Sequence, residues 1–324
     1  MSRIAPLLVL LALAVSLSAC DSGDGGTGPA DGGGDSRLTV VTSLGVFADM
    51  VEQIGGGRAD VTALFPAGAD PHTYEPKPRD VQKIIEADVV FVNGLSLEPG
   101  TIKLIDANLP AGTPLVRLAE VAADEGRVAL RQFGEQGHLA AEEEETGEED
   151  PHLWLSVDNA REYARTIRDA LSKTDPDGAA TYESNFEDYE ARLDDLDAYA
   201  KEAVSAVPQG RRSLVTTHDA FGYMAGYLGF EVAAVVAVSP EQDPSADDIA
   251  RLQRAIEEAS VPAVFAEPQI GPESQILGQI AADVGAEVCT LYSDALDDRA
   301  PTYVEMMRFN ADELVRCLGD GGGN

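Results

Sequence analysis

The chain is short of cations, cysteine and histidine, and each shortage argues against a class of function. Lysine and arginine number 23 against 57 aspartates and glutamates, which gives a formal net charge of -34 and argues against nucleic acid as a partner. The four histidines and three cysteines form no local HxxxH or CxxC site. The sequence also has no HExxH motif and no serine nucleophile elbow, the usual marks of two hydrolase classes.

The first 19 residues have the pattern of an export signal. Arg3 precedes an apolar stretch at residues 4–17, which is too short to span a membrane. The stretch ends in Leu-Ser-Ala-Cys, which resembles the lipobox of bacterial lipoproteins. The resemblance implies cleavage after residue 19, a lipid on Cys20, and a protein anchored to the membrane that faces outward or into the periplasm. The alternative is an ordinary secretory signal followed by an incidental cysteine.

The segment from Cys20 to residue 36 is predicted to be a flexible tether. Residues 21–36 are mainly glycine, aspartate, serine, threonine and proline, with no sizeable apolar side chain to bury. The body that follows is long enough for one large or two medium α/β units. Its two cysteines, Cys289 and Cys317, could form a disulfide in an oxidising compartment or remain as two buried free thiols.

Strands and helices alternate in the first part of the body, which predicts an α/β fold with a mainly parallel sheet flanked by helices. Apolar and β-branched runs predict strands at 38–42, 61–65, 89–92 and 115–118. Helical spacing predicts helices at 46–54, 79–86 and 159–171. We assign residues 37–174 to an N-terminal lobe, with an acidic loop at 132–150.

A long helical run follows this lobe. Apolar residues spaced by three or four predict one helix at 175–207, about 30 residues and roughly 45 Å long. A second α/β lobe, 208–320, is predicted from strands at 214–217, 232–238, 263–266 and 287–291 and from helices at 246–259 and 301–318. Ser245 is the expected cap of the first of these helices. A long helix between two lobes is more naturally a rigid strut than a hinge.

Three of the four histidines lie where a predicted strand or helix gives way to a loop. His72 lies in Asp-Pro-His-Thr-Tyr-Glu-Pro, His152 in Asp-Pro-His-Leu-Trp, and His218 in Thr-His-Asp-Ala-Phe-Gly-Tyr. Ligands of open α/β sheets bind at the carboxyl ends of strands, where residues distant in sequence can meet. A metal site is one interpretation. Loop histidines that make local hydrogen bonds are the other, and spacing alone favours it.

Five motifs occur in order: the three histidine motifs, then Phe-Ala-Glu-Pro-Gln at 265–269 and Tyr-Ser-Asp-Ala-Leu at 292–296. Together they resemble the zinc and manganese binding proteins of bacterial ABC metal-uptake systems, from about residue 38 to 318. The resemblance implies two α/β lobes joined by a long helix, with a metal held between them. It also implies a binding protein that delivers metal to an ABC permease and is not an enzyme. We expect a monomer.

The resemblance assigns the ligands residue by residue. It implies that His72 and His152 bind the metal from the first lobe and that His218 and Asp294 bind it from the second. Glu267 is expected beside the site rather than on the metal. Three imidazoles and one carboxylate suit tetrahedral Zn2+ at about 2.0–2.2 Å, whereas Mn2+ prefers more oxygen ligands. In this family the third position is often glutamate in manganese binders, so His218 favours zinc, with manganese as the alternative.

The segment before the second Asp-Pro-His departs from the family pattern. Zinc-uptake members often carry a histidine-rich loop there, but residues 132–150 contain one histidine, His138, and an acidic run. Such a run is more typical of a solvated loop than of a specific site. His138 is therefore expected to be at most an accessory metal contact.

Two other classes of function compete with metal transport. Three histidines and a water also form a catalytic zinc site, as in a zinc hydrolase. Asp294 as a fourth ligand would close the coordination shell and argues against that reading. Surface adhesion is the other alternative, because some members of this family were described as adhesins.

Overall fold

The structure is a computed structural model that describes residues 37–133, 148–237, 246–259 and 261–319. The predicted signal, Cys20, the tether, His138 and Ser245 lie outside the described residues. Within the described ranges no helix combines the length and the apolar character needed to cross a membrane.

The first lobe is built on four parallel strands: β1 (Leu38–Thr42), β2 (Ala59–Ala63), β3 (Val89–Val92) and β4 (Leu115–Arg117). The strand order is β2-β1-β3-β4, and all neighbours are parallel. Its helices are α1 (Gly45–Gly55), α2 (Pro78–Glu86), α3 (Pro99–Asn108), α4 (Leu118–Asp124) and α5 (Val157–Thr174). The central strand β3 is buried throughout, which is why it reads as an unbroken Val-Val-Phe-Val run.

The second lobe repeats this topology with β5 (Ser213–His218), β6 (Glu231–Ala237), β7 (Ala263–Ala266) and β8 (Glu287–Thr290). Its sheet has the order β6-β5-β7-β8, again parallel. Its helices are α7 (Gly222–Leu228), α8 (Ala246–Ala259), α9 (Gly271–Val284) and α10 (Tyr303–Leu318). The predicted pair of parallel-sheet lobes flanked by helices is confirmed.

The long helix, α6, spans Ala179–Val204 and is shorter than predicted at both ends. Pro176–Gly178 forms a separate 3-10 turn, because the carboxylate of Asp175 accepts the backbone N–H of Gly178 at 3.2 Å. At the other end the backbone N–H of Ser205 bonds three residues back, to Glu202 at 3.1 Å, which tightens the last turn. The remaining 26 residues span about 39 Å.

One face of α6 is buried along its whole length, and it packs against α1 and α5 of the first lobe and α10 of the second. The buried residues are Tyr182, Phe186, Tyr189, Leu193, Leu196, Ala200 and Val204. They follow the spacing of three or four that predicted the helix. The helix therefore braces both lobes along one side.

Three local predictions need correction. The second strand was predicted at 61–65 but lies at Ala59–Ala63, where Ala59 pairs with Leu38. His218 was expected just after the β5 strand and is instead its last residue. The helices α3, α4, α7 and α9 were not predicted; α3, α7 and α9 begin at proline or glycine, which the sequence presents as turns.

Candidate metal centre

The side chains of His72, His152, His218 and Asp294 meet between the two lobes, and one ligand atom from each lies within 4.8 Å of the others. The Nε2 atom of His152 is 3.2 Å from that of His72, 3.4 Å from that of His218 and 3.8 Å from Oδ1 of Asp294. Metal–nitrogen bonds of roughly 2.0–2.1 Å in a tetrahedron would separate the nitrogens by about 3.3–3.4 Å. The spacing of the histidines therefore fits a single ion.

The two Asp-Pro-His motifs form the same turn. The Oδ1 atom of Asp70 accepts the backbone N–H of His72 at 2.9 Å, and Oδ1 of Asp150 accepts that of His152 at 2.9 Å. An aspartate that bonds the backbone two residues on is a common way to stabilise a turn. Asp150 also contacts the ring Nδ1 of His152 at 2.8 Å, so the ring donates from Nδ1 and keeps the lone pair of Nε2 free.

His218 is oriented from the opposite lobe by Glu267, which directly follows β7. The ring Nδ1 of His218 lies 2.7 Å from Oε1 of Glu267. Further donors surround this buried carboxylate: the hydroxyls of Thr217 and Ser293, and Nε2 of Gln269 at 3.1 Å. Glu267 thus lies behind His218 and outside the cluster of four ligand atoms.

These outer hydrogen bonds leave two Nε2 lone pairs facing each other. With Nδ1 as the donor in both His152 and His218, both Nε2 atoms are acceptors, yet they are only 3.4 Å apart. Two acceptors cannot hydrogen-bond to each other, and a cation between them, either a proton or a metal ion, would satisfy both lone pairs.

The electrostatic environment treats the histidines differently. Burial lowers the pKa of His72 and of His152 well below the ordinary 6.5, and the neighbouring His218 lowers both further, so both are neutral near pH 7. Burial opposes the charge on His218 too, but the carboxylate of Glu267, together with those of Asp294 and Asp70, raises the His218 pKa to about 9. The raised pKa favours the protonated form of His218 in the metal-free protein.

Asp294 supplies a buried oxygen that is not otherwise used. Its Oδ2 lies 2.9 Å from the hydroxyl of Ser293, whose single proton is shared with Glu267, whereas its Oδ1 has no hydrogen-bond partner among the described residues. Leaving such an oxygen unsatisfied in the interior is costly. Burial raises the Asp294 pKa to about 7, with Glu267 and Asp70 adding to the rise. Oδ1 and the three Nε2 atoms together form a donor set suited to a divalent transition metal.

The two predicted cysteines that the structure describes lie apart from this cluster. Cys289 on β8 and Cys317 on α10 are joined by a disulfide, with Cα atoms 6.6 Å apart. His138 and Cys20 fall outside the described residues. Sequence reasoning gave no role to Asp150, although its place in the second of two Asp-Pro-His motifs was a usable signal. Ser293 and Gln269 also lie in two of the five motifs, at 292–296 and 265–269, but neither residue was given a role.

Comparison with known proteins places the chain among metal-binding proteins. Residues 40–317 match the family described as ZnuA, zinc-uptake complex component A, periplasmic. The manganese-binding lipoprotein MntA of Halalkalibacterium halodurans is 31% identical over 322 residues, covering 98% of this chain and 99% of that protein. The manganese ABC transporter substrate-binding lipoprotein PsaA of Streptococcus anginosus is 29% identical with the same coverage.

Solved structures agree with these sequence matches. The periplasmic zinc-binding protein TroA from Treponema pallidum has a TM-score of 0.77 at 30% identity, over 88% of this chain and 100% of that one. A manganese-bound periplasmic metal-binding protein from Candidatus Liberibacter asiaticus has a TM-score of 0.71 at 28% identity, over 86% and 98%. Both the predicted resemblance and the predicted fold are confirmed. The chain belongs to the ZnuA family of extracytoplasmic metal-binding proteins of ABC transporters, which are solute-binding proteins and not enzymes.

Proposed function

We propose that this protein captures one divalent transition metal ion between its lobes, with His72, His152, His218 and Asp294 as the four ligands. The observation that carries the proposal is the convergence of three Nε2 atoms on one point, beside a buried carboxylate oxygen that has no hydrogen-bond partner in the described part of the chain. The ion is the transported substrate of the protein. It would replace the proton of His218 and neutralise the buried carboxylates around it.

We further propose zinc as the preferred metal and manganese as the second. Three imidazole nitrogens and one carboxylate suit zinc, and nitrogen-rich sites bind zinc more tightly than manganese in general. The relatives are divided: MntA and PsaA are named for manganese, while TroA and the family model are named for zinc. The choice therefore rests on His218, the third nitrogen.

The surrounding residues would prepare the ligands before the metal arrives. Asp150 and Glu267 hold the rings of His152 and His218 with Nε2 directed to the centre. The metal brings His72 and His152 of one lobe into a shared coordination shell with the ligands of the other. Because α6 braces both lobes, we expect closure to be a small tilt rather than a wide rotation.

The proposed setting is the outer face of the cell membrane. Relatives are named as lipoproteins of ABC transporters, which agrees with a lipid on Cys20 after removal of residues 1–19. Residues 20–36 would then tether a monomeric body, with lobes at 37–174 and 208–320, near an ABC permease that accepts the metal.

Elemental analysis of the protein purified without chelator tests the proposal, followed by competition between zinc and manganese. We expect close to one equivalent of metal and displacement of manganese by zinc. A protein that binds neither metal would overturn the proposed function.

The zinc preference has a separate test in the variant His218→Glu, which exchanges the third nitrogen for an oxygen. Its ratio of zinc to manganese affinity should fall by about tenfold or more, because oxygen ligands favour manganese. The conservative control is Tyr182→Phe, which removes a hydroxyl that bonds Asp175 and should leave the ratio unchanged. An unaltered ratio in His218→Glu would remove the argument for zinc.

A further inference from the structure

A buried hydrogen bond crosses the lobe interface beside two of the proposed ligands, His152 and Asp294. The indole N–H of Trp154 donates to the backbone carbonyl of Ser293 at 2.9 Å. Trp154 lies two residues after His152, and Ser293 directly precedes Asp294. All four residues are buried, so water does not compete for the bond.

Trp154 is held firmly on its own side. It lies in the 3-10 turn Leu153–Leu155 that directly follows His152. Its ring packs edge-on against Phe47 of α1, with centroids 5.4 Å apart and an interplanar angle of 88°, and lies 5.5 Å from the ring of His152. These contacts restrict the indole to one orientation, with its N–H toward the second lobe.

The second lobe reinforces the same junction through Tyr303, at the start of α10. Its hydroxyl donates to the backbone carbonyl of Trp154 at 2.8 Å, and its backbone N–H donates to Oδ2 of Asp49 at 2.8 Å. Both partners belong to the first lobe. The backbone of Trp154 and its indole are therefore each bonded to the opposite lobe.

The acceptor loop is fixed from behind by Asn310 of α10. Its side-chain amide accepts the backbone N–H of Tyr292 at 2.8 Å and donates to the carbonyl of Tyr292 at 2.8 Å. The carbonyl of the next residue, Ser293, accepts the indole N–H of Trp154, and its hydroxyl lies 2.9 Å from Oδ2 of Asp294. The peptide that carries Asp294 is thus held between α10 and the indole.

We propose that Trp154 is a positioning residue for metal capture, which sets the separation of His152 and Asp294 by bonding the Ser293 carbonyl across the lobes. This inference rests on the proposed function. Ligands must be held within about 0.5 Å of their productive geometry, and Oδ1 of Asp294 lies 3.8 Å from Nε2 of His152. Without the indole N–H, the Ser293 carbonyl loses its donor from the first lobe, and the loop is held only from its own lobe, by Asn310.

The test is a double-mutant cycle on zinc affinity, using Trp154→Phe, Asp294→Ala and the combined variant. Trp154→Phe keeps an aromatic ring but removes the donor, and we expect it to weaken zinc binding about tenfold or more. If the indole acts through Asp294, then Trp154→Phe should change the affinity of the Asp294→Ala background by less than about twofold, the usual error of additivity. Affinity is measured by competition with a chromophoric chelator.

A second form of the protein keeps the shape of the side chain. Trp154 is the only tryptophan in the chain, so feeding cells benzothienylalanine, which has sulfur in place of the indole N–H, alters this residue alone. It should reproduce the loss caused by Trp154→Phe. Circular dichroism of each metal-free form checks that it is folded.

The outcomes separate the two proposals. Equal losses in the presence and absence of Asp294, or unchanged zinc affinity in the benzothienylalanine protein, would overturn the role of Trp154. A wild-type protein that binds no metal would instead overturn the proposed function.

Discussion

The two lobes contribute different kinds of proposed ligand. In the first lobe His72 and His152 are neutral imidazoles presented by two equivalent Asp-Pro-His turns. In the second lobe His218 has a pKa of about 9 and Asp294 a pKa of about 7, and both lie at the carboxyl edge of the sheet. The first pair therefore offers ready donors, whereas the second holds the protons that a metal must displace.

The difference in pKa between the histidines of the two lobes arises mainly from Glu267, the buried carboxylate beside His218. Glu267 is enclosed by donors from Thr217, Ser293 and Gln269, and its pKa is lowered despite burial because His218 lies against it. It therefore remains charged and favours a charged partner. The pKa of His152 stays low because burial dominates and the charge of His218 opposes a second one. The first lobe thus contributes two neutral imidazoles, whereas the second lobe contributes the residues that exchange protons near neutral pH.

The largest effect is expected from removing the histidine at the middle of the cluster. His152→Ala should weaken zinc binding by about a hundredfold or more, because its Nε2 lies within 3.8 Å of a ligand atom from each of the other three residues. Competition titration measures the loss, and circular dichroism confirms that the variant is folded. His138→Ala is the matched control and should retain the wild-type affinity. A wild-type titration curve for His152→Ala would refute the ligand assignment.

Acidification should weaken metal binding through the protonation of His218 and Asp294 alone. Because the His218 pKa is about 9, His218 must lose a proton when the metal binds at any pH between 7 and 9. Metal affinity should therefore fall about tenfold for each unit by which the pH decreases through that range. Below the Asp294 pKa of about 7 a second proton must leave, and the slope should approach two. Because protons compete with the metal for these two residues, metal affinity increases with pH.

Zinc competition at several pH values in non-coordinating buffers measures these slopes, and an indicator dye counts the protons released. A constant affinity between pH 7 and 9 would show that His218 is neutral in the metal-free protein. That result would remove the contrast between the lobes.

Replacing the carboxylate that contacts Nδ1 of His152 or of His218 tests the same difference between the lobes. Glu267→Gln and Asp150→Asn should each weaken zinc binding by about 10- to 100-fold, the usual cost of losing such a partner. Only Glu267→Gln should also reduce the protons released at pH 8, because it removes the charge that raises the His218 pKa. Equal proton release by both variants and the wild type would contradict the assigned role of Glu267.

The sequence predicted most of the strands and the ligand cluster, but not what holds the cluster in place. Strands β1, β3 and β7 were predicted at their observed bounds because each is a short apolar run with β-branched residues. The helix α3 was missed because it begins at Pro99-Gly100, a pair that also marks turns. Sequence pattern predicted an element only where the spacing of apolar residues and the secondary-structure propensity of the individual residues agreed.

The proposed ligands were predicted from their flanking motifs, since the spacing of the histidines alone favoured an ordinary loop role. Their supports depend on contacts that no local pattern encodes. Trp154 and Ser293 are 139 residues apart, and His218 and Glu267 are 49 apart. Only the folded lobes bring such pairs together, so the charge on His218 and the bond across the interface follow from the structure.

The smallest effect on metal binding is expected from removing the disulfide, which lies in the second lobe and does not contact the proposed ligands. Cys289→Ser with Cys317→Ser should lower the free energy of unfolding by about 3–4 kcal/mol, because the crosslink closes a loop of 28 residues. Zinc affinity should stay within about twofold, since Asn310 and Trp154 hold the Asp294 loop independently of the sulfurs. Urea denaturation and chelator competition measure the two quantities on the same sample. A loss of affinity comparable to that of Glu267→Gln would mean that the second pair depends on the packing of α10 against β8 as well as on its local carboxylates.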